Sequence, residues 1–174
     1  MNKQDVVAVV LGGPSSEAEV SRRTGGAIAE ALREKGYNAV EVELVPEKLV
    51  EQLREIDAKV VFNAVHGMYG EDGRLQSILE AIKMPYTGSG VLASAVAMDK
   101  VATKRFLISA NISTPKCLMY NKRFDNDMAK IEKEIIATFG VPVVIKAADQ
   151  GSSVGVEIVK AEADVAAAFE NTFK

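Results

Sequence analysis

The sequence has very few of the residues that build disulfides and metal clusters. Its 174 residues include one cysteine, Cys117, and one histidine, His66. A single cysteine excludes an intrachain disulfide and a cysteine-cluster metal site, and one free thiol is typical of the reducing cytoplasm. Because Cys117 lies in a strand-like run, we interpret it as a packing residue of a cytoplasmic protein.

Long hydrophobic runs and an excess of one charge are also absent. No run of about 18 apolar residues could span a bilayer, and the N-terminal apolar run lacks a clear signal-peptide cleavage pattern. Lysine and arginine number 21 against 24 aspartates and glutamates, a formal net charge of −3. Since the charges are spread along the chain, the sequence predicts neither membrane binding nor a nucleic-acid interface.

The sequence does contain alternating strand and helix patterns. The run "DVVAVVL" (5–11) has no polar alternation, which is typical of a parallel strand buried on both faces. A helix over 17–35, a strand over 38–44, a helix over 46–56 and a strand over 59–65 follow. This order predicts right-handed βαβ units on a parallel sheet, and therefore an α/β, Rossmann-like domain.

Glycine-rich loops follow the first and third predicted strands. They read "GGPSSE" (12–17) and "HGMYGEDG" (66–73), and neither matches the GxGxxG pattern of dinucleotide sites. Ligands of open parallel sheets bind beyond the carboxyl ends of the strands, so we expect both loops to face one crevice. Two interpretations of the first loop stay open. Either Ser15 or Ser16 caps the following helix in an ordinary turn, or Glu17 points into the crevice and holds a cationic group.

His66 opens the second loop, and its residue type alone leaves a structural and a functional role open. An imidazole can hydrogen-bond, carry charge or transfer a proton near neutral pH. Glu71 and Asp72 are interpreted as turn acids or as an N-cap for a helix over 74–83. With no second histidine and no common ligand spacing, we expect no metal at His66.

The composition changes towards the second half, with a domain boundary predicted within 89–100. A helical stretch of small residues covers 91–110, Pro115 opens a strand, and a charged helix spans about 125–139. Two strands joined by a short glycine-rich loop come next. Because their connection is short, we expect them to pair antiparallel.

Lysines near the glycine-rich stretch 150–155 suggest phosphate binding. Lys100 and Lys104 lie one helical turn apart, which more often indicates a solvated helix face. Lys146 lies on an otherwise apolar strand, where an ammonium group is unfavourable unless it reaches solvent or pairs with an anion. The stretch is either an ordinary hairpin tip or a loop that lies over phosphates.

Four segments together resemble the D-alanine–D-alanine ligases of the ATP-grasp superfamily. They are "LGGPSSEAEVS", "HGMYGEDGRLQSILE", "MPYTGSGVLASAVAMDKVATK" and "VVIKAADQGSSVGV", in the family's order. The resemblance implies an α/β protein with a parallel-sheet (Rossmann-like) substrate domain over 1–95. The first part of an α+β ATP-grasp subdomain, incomplete, follows over 96–174.

The resemblance implies a ligase that makes D-alanyl-D-alanine, a peptidoglycan precursor, through an acyl phosphate. Its cofactors are then ATP and Mg²⁺, its substrate is D-alanine, and the full-length protein is a homodimer. Glu17 would hold the ammonium group of the first D-alanine, and His66 would lie beside its carboxylate. Phosphoryl transfer depends on positioning and positive charge more than on covalent help from the protein.

The resemblance also implies the ATP contacts. Lys100 and Lys146 would contact phosphates, and Ser152 would tie the covering loop over the active site. Gly151 and Ser153 would belong to the same loop.

The chain departs from the family pattern at two positions and in length. Ala147 and Gln150 stand where many relatives have proline and glutamate, for which we expect tuning rather than loss. The family's adenine-binding linker, lid loop, Mg²⁺-binding acids and transition-state arginine all lie beyond Lys174. We therefore expect an N-terminal portion that is inactive alone and has no metal ligands of its own.

Several alternatives stay open. The parent could be another ATP-grasp carboxylate–amine ligase, or a ligase that makes D-alanyl-D-lactate, since the discriminating residues lie in the lid. A non-catalytic nucleotide- or amino-acid-binding module belongs to a different class. A plain dinucleotide-binding domain fits worst, because no acidic residue is placed for a ribose.

Overall fold

The computed structural model of the chain describes residues 2–151 and 154–172. It divides into two compact units, with the division between Ala97 and Met98. Among the described residues, no helix is both long enough and apolar enough to cross a membrane. The separate roles predicted for 1–95 and 96–174 stay predictions.

Strands and helices alternate in the first unit until two helices follow one another at its end. In chain order the elements are β1 (Val6–Leu11), α1 (Ala18–Glu34), β2 (Asn38–Glu43), α2 (Leu49–Glu55), β3 (Ala58–Asn63), α3 (Arg74–Ala81) and α4 (Val91–Met98). The sheet order is β2-β1-β3, and both pairings are parallel. The predicted α/β, parallel-sheet fold is confirmed.

The central strand β1 is buried on both faces, which explains its uninterrupted apolar sequence. Ala8 and Val10 belong to a cluster that includes leucines of α2 and α3. Val9 points the other way, into a second cluster that includes Ala29 of α1. Successive side chains of a strand alternate between faces, so both faces of β1 need apolar residues.

The second unit is built on an antiparallel hairpin. Its elements are α5 (Lys100–Ser109), α6 (Met128–Phe139), β4 (Val143–Lys146), β5 (Val156–Val159), a short 3-10 helix (Glu162–Asp164) and α7 (Val165–Thr172). The register pairs Val143 with Val159 and Lys146 with Val156, as the short connection predicted. Residues of α6 and α7, among them Ile131, Ile135 and Phe169, form a core with Val159.

Two predicted elements of this half are wrong. The helical stretch 91–110 is two helices, because Asp99 has extended backbone angles and its side chain accepts the N–H groups of Val101 and Ala102 as the N-cap of α5. The strand expected from Pro115 is absent from the described residues, where this segment is irregular and pairs with no strand.

Packing explains why the segment after Pro115 looked like a strand. Leu118 and Tyr120 pack against the second unit's core, while Cys117 is half-buried. An irregular segment can bury apolar side chains without entering a strand ladder. The interpretation of Cys117 as a packing residue stays a prediction.

Candidate functional site

The loop after β1 is tied to the end of β2 by a carboxylate. Gly12 and Gly13 have φ angles of +72° and +87°, which glycine adopts without strain. The Gly13 N–H donates to Glu43 Oε1 at 3.3 Å, and the Arg22 guanidinium donates to both oxygens of that carboxylate at 2.7 and 3.1 Å. The hydrogen bond from Arg22 lowers the pKa of Glu43, against the effect of partial burial. An ionised side chain therefore holds the glycine-rich loop.

The loop after β3 is held by its own acidic side chains. Gly67 has φ +67°, and its N–H donates to Glu71 Oε2 at 2.9 Å. The Asp72 carboxylate accepts the backbone N–H groups of Tyr69 and Arg74 at 3.0 and 3.1 Å. Both acids are turn acids, one of the two predicted roles, while a glycine takes the N-cap position of α3.

The two loops lie side by side, as the parallel-sheet argument predicted. The Ser15 hydroxyl accepts the Glu17 N–H at 3.1 Å and donates to the His66 carbonyl at 2.8 Å. Prediction of Ser15 or Ser16 as the N-cap is wrong, because Glu17 holds that position and α1 begins at Ala18. Ser15 instead uses its donor to bond across to the second loop.

Glu17 is half-buried and lies against the turn that carries His66. A Cβ atom built on Gly67 would lie 2.7 Å from Glu17 Oε2. Only glycine allows this approach, because any side chain there would displace the carboxylate. The Glu17 carboxylate therefore lies against Gly67, the residue that follows His66, at the carboxyl edge of β1 and β3.

The His66 ring has a polar neighbour at each nitrogen. Nε2 lies 3.2 Å from Thr24 Oγ1, and Nδ1 lies 3.8 Å from Glu71 Oε1. About a third of the side chain is exposed, so the ring remains within reach of a ligand. An imidazole between a hydroxyl and a carboxylate can donate a hydrogen bond to an anionic group. The structure brings Glu17 and His66 together on the first unit.

In the second unit, Lys100 is attached to the glycine-rich hairpin loop. It is the first residue of α5, and its backbone N–H donates to the Ala148 carbonyl at 2.9 Å. Its side-chain Nζ donates to the Gln150 carbonyl at 2.5 Å. Lys104, one turn further, donates to Thr114 and to the Pro115 carbonyl. The two lysines therefore serve different parts of the unit.

Lys146 ends β4 with its side chain exposed, so its ammonium group reaches solvent. The loop closes beyond it, where the Ala147 N–H donates to the Gly155 carbonyl at 2.8 Å. Gly151 is described and half-buried. Ser152 and Ser153, both predicted site residues, lie outside the described residues.

Sequence reasoning missed several residues that support the first loop pair. Ser21, which is buried, shares its helix face with Gly25 and Ala29, so a polar residue at helical spacing within an apolar stripe was the available signal. Nothing in the sequence pairs Arg22 with Glu43, which lie 21 residues apart. Their contact exists only because β2 lies beside β1.

No described group of three histidine, cysteine or acidic side chains is arranged to hold a metal ion. Positive charge in the second unit is supplied by lysines, and negative charge at the first loop pair by Glu17 and Glu71. A zwitterionic ligand suits the first loop pair, and a polyanion suits the lysines of the second unit.

Comparisons with known proteins agree on one family. Two family profiles match, described as "D-ala D-ala ligase N-terminus" over residues 43–89 and "D-ala D-ala ligase C-terminus" over 106–174. The D-alanine–D-alanine ligase of Moorella thermoacetica is 44% identical over 169 residues, which are 97% of this chain and 54% of the relative. The chain spans about half the length of the curated relatives it matches.

Solved structures agree with the sequence relatives. The D-alanine–D-alanine ligase from Bacillus anthracis superposes with a TM-score of 0.83 at 35% identity, covering 97% of this chain and 54% of that one. The same enzyme complexed with ATP gives a TM-score of 0.77 at 32% identity, covering 97% and 55%. The chain belongs to the D-alanine–D-alanine ligase family.

Proposed function

We propose that the protein to which this chain belongs uses ATP to join two D-alanines into D-alanyl-D-alanine. The observation that carries the proposal is the approach of the Glu17 carboxylate to the His66–Gly67 turn, in a chain whose relatives bear the name of this activity. The product would serve as a peptidoglycan precursor.

The first D-alanine is proposed to bind at the Glu17–His66 edge of the first unit. A free amino acid is a zwitterion, so it needs an anion for its ammonium group and a donor for its carboxylate. Glu17 supplies the anion, and the His66 ring supplies the donor. Ammonium–carboxylate and imidazole–carboxylate hydrogen bonds are charge-assisted and fix orientation as well as affinity.

ATP is proposed to place its phosphates at the glycine-rich hairpin of the second unit. Lys100 and Lys146 bring positive charge, and Gly151, with Ser152 and Ser153, would supply backbone and hydroxyl donors. ATP would phosphorylate the carboxylate of the first D-alanine. The amine of the second would then attack the acyl phosphate, forming the peptide bond and releasing phosphate. These residues would orient phosphates and stabilise negative charge.

Partners and location follow from the same proposal. The substrates are D-alanine and ATP, the complete protein is proposed to be a homodimer of the cytoplasm, and Mg²⁺ would be held by residues other than the described ones. No membrane or nucleic-acid partner is proposed. D-lactate as the alternative second substrate is left to direct measurement.

The amino-acid assignment is tested with Glu17→Gln in a complete ligase that carries this chain. The KM for D-alanine at its first site should rise at least about tenfold, with little change in the KM for ATP, because one charge-assisted hydrogen bond is weakened. Glu19→Gln is the matched control, since Glu19 is exposed on the same helix turn. An equal effect of Glu17→Gln on both KM values would refute the assignment.

The 174-residue chain alone is predicted to show no ligase activity. The experiment measures phosphate release with ATP, D-alanine and magnesium. Release that depends on D-alanine and is abolished by Lys146→Ala would contradict this prediction.

A further inference from the structure

Hydroxyl side chains near the start of α1 contact the segment that leaves β3. Ser21 Oγ, fully buried, accepts the Gly12 N–H at 2.8 Å and donates to the Ala64 carbonyl at 2.7 Å. Ser15 Oγ accepts the Glu17 N–H at 3.1 Å and donates to the His66 carbonyl at 2.8 Å. Each hydroxyl therefore links one backbone N–H of the first loop region to one backbone carbonyl of the second.

The two bridges lie at different depths and connect different groups. Ser21 joins Gly12 to Ala64, immediately beyond the ends of β1 and β3, where neither partner carries a functional side chain. Ser15 joins the backbone of Glu17 to the backbone of His66, the two residues assigned to the amino acid. The Ser15 oxygen is thus the single atom that lies between the Glu17 N–H and the His66 carbonyl.

The Ser15 bridge restricts how these two residues can move relative to each other. A serine hydroxyl has one donor, and here the donor is committed to the second loop while a lone pair is committed to the first. Beyond it, Glu17 Oε2 packs on Gly67 and Thr24 Oγ1 lies 3.2 Å from His66 Nε2. Removal of the hydroxyl would remove the hydrogen bonds that hold the two loops together beneath these contacts.

We propose that Ser15 is a positioning residue, which sets the Glu17 carboxylate against His66 for binding of an α-amino acid. This inference rests on the proposed function, because it takes Glu17 and His66 as the ligand contacts. Ser15 itself does not need to touch the ligand. Its contribution is preorganisation, since a loop held in its bound arrangement loses less conformational freedom on binding.

The test uses the isotope-labelled 174-residue chain and nuclear magnetic resonance. His66 is the only histidine, so its ring gives a single, directly assigned signal. Three variants are compared with the parent chain: Ser15→Ala removes the bridge, Ser15→Thr retains a hydroxyl, and Ser16→Ala changes the exposed neighbour. Two readouts are taken: hydrogen exchange of the Glu17 amide without ligand, and the shift of the His66 signal on titration with D-alanine.

Ser15→Ala should exchange the Glu17 amide about tenfold faster and bind D-alanine about tenfold more weakly, with at most a small fall in the thermal midpoint. Ser15→Thr should restore both readouts, and Ser16→Ala should alter neither. An unchanged exchange rate in Ser15→Ala would overturn the proposal, and so would faster exchange with unchanged D-alanine affinity. A fall in thermal midpoint that Ser15→Thr does not rescue would also overturn it, because Ser15 would then have only a structural role.

Failure of the proposed function gives a different result. If D-alanine does not shift the His66 signal of the parent chain, the amino-acid site assignment is wrong. Faster exchange in Ser15→Ala would then still support positioning of Glu17 against His66 by Ser15. The exchange arm and the titration arm therefore separate the two claims.

Discussion

The two units bury their strands in opposite ways. In the first, β1 is covered on both faces, and Val9 has no exposed surface. In the second, α6 and α7 cover one face of the hairpin, while Val144 and Ile158, paired across the other face, remain 48% and 65% exposed. A strand covered on both faces is apolar throughout, whereas a strand covered on one face tolerates a charged residue such as Lys146.

This difference bears on function. A central strand held on both faces fixes its end, so the loop after β1 starts from a rigid position and is further held by Ser15, Ser21 and Glu43. The hairpin of the second unit holds its loop through the pairing of two short strands and through Lys100. Under the proposed function, the first arrangement would orient a small ligand, and the second would serve a loop that covers the phosphates of ATP.

The largest expected difference in stability is between two valine-to-aspartate substitutions, one in β1 and one in β4. Val9→Asp should destabilise the first unit by at least about 4 kcal/mol, because a carboxyl group would be buried without a partner. Val144→Asp should cost no more than about 1 kcal/mol, because its side chain reaches water. Urea unfolding followed by circular dichroism measures both. Similar losses in the two variants would contradict the described burial.

Adjacent glycines of α1 give a sharper contrast, with opposite signs. A Cβ on Gly25 would lie 2.6 Å from Leu11 Cβ, whereas a Cβ on Gly26 would meet nothing within 4 Å. Gly25→Ala should therefore destabilise the first unit by about 1–3 kcal/mol through overpacking. Gly26→Ala should stabilise it by roughly 0.5–1 kcal/mol through helix propensity. Thermal unfolding of the two variants checks the order, and equal effects would mean that α1 does not pack on β1 this closely.

Acid should weaken the first unit through Glu43. Its folded-state pKa is lowered, chiefly by the hydrogen bond from Arg22, so its contribution to stability is present above the unfolded-state pKa. That contribution is lost as the pH falls through the lowered folded-state pKa. The free energy of unfolding of Glu43→Gln should depend less on pH in the range below about 4. An unchanged acid profile in this variant would exclude Glu43 as a source of acid sensitivity.

Alkali should weaken the second unit through Tyr120. Burial, and then the hydrogen bond to Glu134, raise the pKa of Tyr120 to about 12. The contribution of the protonated phenol is complete below the unfolded-state pKa of about 10 and is lost as the pH rises through about 12. Absorbance of tyrosinate should show a late step that Tyr120→Phe removes. Persistence of that step in the variant would assign it to another tyrosine.

The sequence was sufficient for the first sheet and for the pairing of its loops. The uninterrupted run of β1 and the strand–helix alternation predicted a parallel sheet, and the sheet placed the Gly12 and His66 loops at one edge. The antiparallel hairpin followed from its short connection. These features depend on local patterns, which a sequence displays directly.

What the sequence did not show depends on contacts between distant residues. Ser21 bonds to Ala64, 43 positions away, and Ser15 bonds to His66, 51 positions away. Serine is a common residue, and its partners here are backbone groups, which carry no sequence signal. The break at Asp99 was readable as an N-cap and was missed because apolar residues continue on both sides.

The division of labour between the units is the central claim, and one titration tests it most directly. The labelled chain is titrated with D-alanine and, separately, with ATP while backbone and His66 signals are followed. D-alanine should move His66 and the amides near Glu17, and Glu17→Gln should abolish this response alone. ATP should move the loop after Lys146, and Lys146→Ala should weaken that response alone. A D-alanine response that bypasses His66, or survives Glu17→Gln unchanged, would contradict the account.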